Sequence, residues 1–171
     1  YMNVVVPSKR PPPFSLEGNA KCVPINELPI LGQKYKDFVI VGAGKTAIDA
    51  VLFLLKNDVE PQKISWIMPR DSWILDRAQI QPTFESIGKA LTSQIIPGSQ
   101  SEDIDDFFDK ISKAGGLLRI DDNVKPTMYR CSTVTKAELE QLKRVENIIR
   151  KGRVKSINDT EMVLEHGSIP T

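Results

Sequence analysis

Residues 38–50, FVIVGAGKTAIDA, hold the arrangement in this chain whose residue types and spacing point to a defined chemistry. Two readings compete for it. Gly44-Lys45-Thr46 is how a triphosphate-binding loop ends, while Gly42-Ala43-Gly44 is how a dinucleotide-binding turn begins. A triphosphate loop follows G-x-x-x-x-G-K-[ST], so it would need glycine at position 39, which is Val39. Without that glycine the loop is too short to wrap a triphosphate in successive backbone N–H groups. The dinucleotide pattern G-x-G-x-x-G/A is met in full by Gly42, Ala43, Gly44, Lys45, Thr46 and Ala47. Gly42 can take the backbone angles of a tight turn, Gly44 has no Cβ to keep a diphosphate away, and Ala47 is small enough for helix to pack on strand. The anion would lie against free N–H groups at the positive end of the following helix.

The end of the next strand discriminates between coenzymes. An NAD site places a carboxylate there for the ribose 2′-OH. Here the chain runs Met68-Pro69-Arg70-Asp71-Ser72-Trp73, and the first polar group is Arg70. A guanidinium suits a 2′-phosphate and can stack on adenine. Ser72 would add a hydrogen bond and Arg77 a second positive charge, whereas Asp71 turned inward would favour NAD. The expectation is NADP, with NAD as the alternative. No catalytic acid, base or nucleophile stands out. His166 reads as an exposed hairpin residue, Asp49 as a cap or solvent-facing group on the helix, and Cys131 lacks a CxxC partner. The acidic group Glu102, Asp103 and Asp105 reads as a solvated helix start with Ser101 as N-cap, because a calcium loop needs more spaced oxygens.

The elements that would position these residues follow from periodicity. FVIV (38–41) is an apolar strand of the kind covered on both faces in a parallel sheet. Ile48, Val51, Leu52 and Leu55 make one helical stripe ending near Asn57-Asp58 before Pro61, and ISWIM (64–68) is a second buried strand. Strand, turn, helix and strand form a βαβ unit with parallel neighbours. Phe84, Ile87, Leu91 and Ile95 predict one helix, and Ile104, Phe107, Phe108 and Ile111 another, so a helical insertion is expected at about 78–115. LLRI (117–120) is expected as a third parallel strand. The capping box Thr135-Lys136-Ala137-Glu138 opens a helix through Leu139, Leu142, Val145 and Ile149 to Gly152. The stretch around Asn158-Asp159 reads as a β-hairpin. Before position 38, Val4–Val6 is a short strand, four prolines at 7 and 11–13 exclude helix, and residues 15–36 are irregular. The fold class expected is α/β: a Rossmann-like parallel sheet with a helical insertion after the second strand and a C-terminal β-hairpin. Residues 1–37 form a strand plus Pro-rich connector packed on a domain at 38–171.

Bulk properties narrow the classes. Lys plus Arg (23) nearly balance Asp plus Glu (22), so no global field draws the chain to nucleic acid or an acidic membrane. No apolar run approaches the ~20 residues that span a bilayer. Cys22 and Cys131 have no metal-ligand spacing with the single histidine and read as small buried hydrophobes in a reducing compartment. The expectation is a cytoplasmic protein that binds no metal, membrane or nucleic acid. A chain opening on Tyr1-Met2 and closing on Ile169-Pro170-Thr171 is expected to be a segment of something longer.

GAGKTAIDA followed by ISWIMPRDSWILDR resembles the NADPH-binding half of flavin-containing monooxygenase-type enzymes, in which a GxGxSG-type turn is followed, after the next strand, by an Arg and a WxLxR-like segment. The similarity is closer to a less characterised group of FAD/NAD(P)-dependent oxidoreductases, where VPS, PPF, a GAGKTAMDA turn, PRDSW and a late GRV segment recur in this order. It covers Val6 to about Val154, and PRDSW is its specific part. The resemblance implies coenzyme contacts at Gly42, Gly44, Lys45, Thr46, Ala47, Arg70, Ser72 and Arg77. It also implies FAD on a separate domain of a full-length flavoprotein. The FAD glycine motif and the ATG-like turn of that family are missing from this sequence, so a flavin site is not expected within it. The function implied is an NADP(H)-binding module that positions nicotinamide for hydride transfer to FAD held elsewhere. The alternatives are a non-catalytic NAD(P)-sensing domain acting through a protein partner and an interaction domain with a degenerate site.

Overall fold

Short apolar runs become strands and 3.6-residue stripes become helices in a computed structural model that describes residues 7–31 and 35–171. The strand expected at Val4–Val6 therefore lies outside the described residues, as does part of the irregular stretch expected up to residue 36. In chain order the elements are β1 (Ser15–Leu16), α1 (Leu28–Leu31), β2 (Phe38–Val41), α2 (Lys45–Lys56), β3 (Ile64–Ile67), β4 (Ser72–Asp76), α3 (Phe84–Ser99) and α4 (Ile104–Lys113). They continue as β5 (Leu117–Leu118), β6 (Met128–Val134), α5 (Lys136–Leu142), β7 (Ile148–Ile149), β8 (Val154–Ile157), β9 (Glu161–Leu164) and β10 (Gly167–Pro170). The protein is mixed α/β, with parallel and antiparallel pairings in three sheets among the described residues. It divides into two units, residues 1–69 with 145–171, and residues 70–144.

In the first unit β2, β3 and β7 pair in parallel in that order. Val41 sits opposite Ile67, and α2 makes the crossover between β2 and β3. The helix buries Ala47, Ile48, Ala50, Val51, Leu54 and Leu55, while Leu52, expected in this stripe, is half-buried. It ends where expected: Asn57 caps it and donates its side-chain amide to Phe53 O at 2.8 Å. The parallel-sheet expectation for FVIV needs one correction, because Val39 and Val41 are 39% and 38% exposed. Among the described residues one face of β2 is uncovered. A second sheet, β1-β8-β9-β10, contains the expected hairpin about Asn158, whose side chain accepts from the amides of Thr160 and Glu161. Ile67, Val154, Ile157, Met162 and Leu164 form its core, and Phe14 and Ala20 from the Pro-rich connector pack against it.

Several further expectations are corrected. The third parallel strand is Ile148–Ile149, not LLRI; Leu117–Leu118 pairs antiparallel with β4 in the second unit. Correspondingly α5 stops at Leu142, with Val145 buried beyond it and Ile149 in a strand. The apolar spacing continued because Leu139, Leu142 and Val145 are buried and Ile149 is half-buried, but in different elements. Pro7 starts a 3₁₀ turn to Lys9, and Leu28–Leu31 is a helical turn, within stretches expected to be non-helical. A proline is tolerated at a first helical position because its missing N–H would have no partner there. Both cysteines are exposed, against the buried reading.

The second unit pairs β5, β4 and β6 in that order. Trp73, Ile111 and Leu117 form its core, and Trp73 stacks on Phe108 with ring centroids 6.0 Å apart. The two helices of the expected insertion are present, but this unit also carries a sheet that the sequence pattern does not announce. The N-cap of α4 is Asp103, whose carboxylate accepts from Asp106 N, and not Ser101. The stripe on α3 points outward: Phe84 is 94% exposed, and Ile87, Leu91 and Ile95 are exposed with it. The capping box is complete, with Thr135 Oγ1 accepting from Glu138 N at 3.1 Å and Glu138 returning a carboxylate oxygen to Thr135 N at 2.7 Å. Thr135→Ala is therefore expected to destabilise the fold by about 1 kcal/mol. Chemical denaturation of the variant checks this, and an unchanged midpoint contradicts it.

Candidate functional site

The glycine turn is built by the pairing of β2 with β3. One residue past the ladder, Gly42 N donates to Ile67 O at 2.9 Å, and Gly42 O accepts from the Trp66 indole Nε1 at 2.7 Å. Gly42 has φ +119°, a conformation that residues with a Cβ rarely adopt. A Cβ there would meet only Ala47 Cβ, at 3.9 Å, so the backbone and not crowding demands glycine. Gly44 is the N-cap of α2 with φ −91° and ψ 177°, angles open to any residue. Nothing lies within 4 Å of where its Cβ would stand. Ile48 N donates to Gly44 O, and the amides of Ala43, Gly44, Lys45, Thr46 and Ala47 donate to no described residue. Five consecutive N–H groups at the positive end of a 12-residue helix thus have no partner among the described residues. Lys45 contributes a cation, tethered to Asp49 one turn on. Ala47 is buried, as its role in helix–strand packing requires.

The remaining predicted residues belong to the second unit. Arg70 is exposed in the loop before β4. Asp71 and Ser72 are each 7% exposed. The Asp71 carbonyl accepts from the amides of Thr127 and Met128, and the Ser72 hydroxyl donates within the sheet, towards Trp73 O and Met128 O. Arg77 is engaged: Nη1 meets Glu138 Oε1 at 3.1 Å and Nη2 donates to Thr133 O at 3.1 Å. Its positive charge is locally balanced. The six turn residues are thus gathered in one place, whereas Ser72 and Arg77 have structural partners inside their own unit.

Sequence reasoning missed two features. Trp66 is fully buried and reaches the turn through a hydrogen bond across 24 positions, which no local pattern signals. Cys131 has φ +52° in an irregularity where β6 carries extra residues opposite Ile74. Its neighbour Tyr129 is raised above its ordinary value, first by burial and then by a hydrogen bond to Cys131. A cavity of about 370 Å³ opens in the second unit between Ile80, Pro82, Ile87 and Leu91, and none of the predicted site residues lines it. Among the described residues no group of His, Cys, Asp and Glu could hold a metal, and no helix is long and apolar enough to cross a membrane.

What fold and turn define is a mixed α/β protein with a half-buried glycine turn at a helix N-terminus. The comparisons place similar chains beside it. Over 99% of its length it is 51% identical to Rv2000 of Mycobacterium tuberculosis and to Mb2023 of Mycobacterium bovis, both uncharacterized proteins. The chain spans about a third, 32%, of the length of these curated relatives. No family model matches it, and neither does any solved structure.

The Arg77–Glu138 pair gives a pH signature. Burial pushes the Glu138 carboxyl up, but hydrogen bonds from the Thr135 amide and hydroxyl, with the Arg77 guanidinium, outweigh burial and hold it below its ordinary 4.5. A depressed carboxyl stabilises the fold above its unfolded pKa, and that stability is lost as pH falls through the folded value. Thermal melts of wild type are expected to fall more steeply between about pH 5 and pH 3 than those of Glu138→Gln. Parallel curves would contradict this.

Proposed function

We propose that the glycine turn binds the diphosphate of a nicotinamide dinucleotide, NADP(H) in preference to NAD(H). On this reading the chain is the Rossmann-like coenzyme module of a flavin-dependent oxidoreductase of the monooxygenase type. Gly42, Ala43, Gly44, Lys45, Thr46 and Ala47 would hold the diphosphate, and Arg70 would read the 2′-phosphate. A bound nicotinamide would supply hydride chemistry to a flavin held outside this chain; the residues of this chain would bind and orient the coenzyme.

The observation that carries this reading is Gly44. Its φ of −91° needs no glycine, and no neighbour within 4 Å excludes a side chain. A bare position among amides that have no partner among the described residues suits an approaching oxyanion. Lys45 favours the same charge. Arg70, exposed and the first polar group after β3, supports the preference for a 2′-phosphate.

Gly44→Asp separates folding from binding. Aspartate is among the best N-caps, so stability is expected to hold or rise by a few tenths of a kcal/mol (~0.3). Its carboxylate would occupy and repel the diphosphate position, so NADPH binding should be lost in calorimetric titration. Retained NADPH affinity in a folded Gly44→Asp protein would remove the site from the turn. Arg70→Ala is expected to weaken NADPH by about 1.5–3 kcal/mol more than NADH. Equal losses would withdraw the 2′-phosphate role.

A further inference from the structure

We infer that Trp66 is a positioning residue for this diphosphate site, setting the direction in which the first amide of the turn points. The inference rests on the coenzyme reading given above. Trp66 is fully buried on β3, and its indole N–H donates to Gly42 O at 2.7 Å. Among the described residues there are no cis peptide bonds, so the unit joining Gly42 to Ala43 is planar and trans. In such a unit the carbonyl and the following N–H point in opposite directions. A carbonyl drawn inward to the indole therefore turns the Ala43 N–H away from β3, on the side opposite Trp66.

The bond is needed because of what Gly42 is. Without a Cβ, this residue has the rotational freedom that would let the peptide turn over. Turned over, it would present a carbonyl oxygen to the anion in place of a donor. The Gly42 amide is already held by Ile67 O at 2.9 Å, so the two bonds from β3 fix the peptides on both sides of the Gly42 Cα. The indole is thus a lock on the peptide orientation, acting through Gly42 without itself touching the ligand.

Trp66→Phe keeps an aromatic ring and removes the donor. With inorganic pyrophosphate and NADPH as probes, this variant should bind both at least about fivefold more weakly, the same factor for each. Incorporating 3-benzothienylalanine at position 66, which keeps the shape and replaces the N–H with sulfur, should reproduce that loss even where Trp66→Phe folds poorly. The chain has two tryptophans, so wild type gives two indole N–H signals in a nitrogen-15 spectrum, and the Trp66 signal should move on saturation with NADPH. Wild-type binding with unchanged affinity in the sulfur analogue, or an unmoved Trp66 signal, overturns the inference and leaves the coenzyme reading standing. No binding of either probe to wild type overturns both.

Discussion

The register of β2 against β3 is the constraint on which the rest of the site depends. Val41 opposite Ile67 brings the next amide under Ile67 O and the next carbonyl over the Trp66 indole. The chain leaves the strand at that point with a positive φ, which Gly42 supplies. Once the direction is set, α2 starts at Lys45 with its first N–H groups unpaired. A slip of one residue would put the indole opposite a different peptide and invert the faces of β2. The buried Trp66, itself without ligand chemistry, is therefore tied to the geometry of a half-buried turn.

What the sequence made legible was local. The strand, glycine turn, helix and strand at 38–67 can be read from runs and stripes, because α2 and β3 bury the residues the patterns mark. The capping box at Thr135 and the hairpin at Asn158 are legible for the same reason, since their hydrogen bonds close within a few residues. The third strand was not: Ile148–Ile149 is two residues long, and its partner is 82 positions back at Trp66–Ile67. Buried strand β4 hides behind the Arg70-Asp71-Ser72 cluster that a reader takes for ligand contacts. Arg77 shows the same limit, since its distance from Glu138 in sequence conceals an ion pair that satisfies it. The α3 stripe misled differently: periodicity marks a face without saying that the face is covered.

Amides with no partner among the described residues, an open position at Gly44 and a tethered lysine can fix an anion. Under the proposed reading as a coenzyme module, the redox groups would come with the cofactors. The chain spans about a third, 32%, of the length of its mycobacterial relatives.

The most direct test follows the backbone amides themselves. A nitrogen-15 correlation spectrum recorded during NADPH titration is expected to show its largest saturable shifts at Ala43, Gly44, Lys45 and Thr46. Saturable shifts clustered at other residues, with these four amides unmoved, would contradict the account.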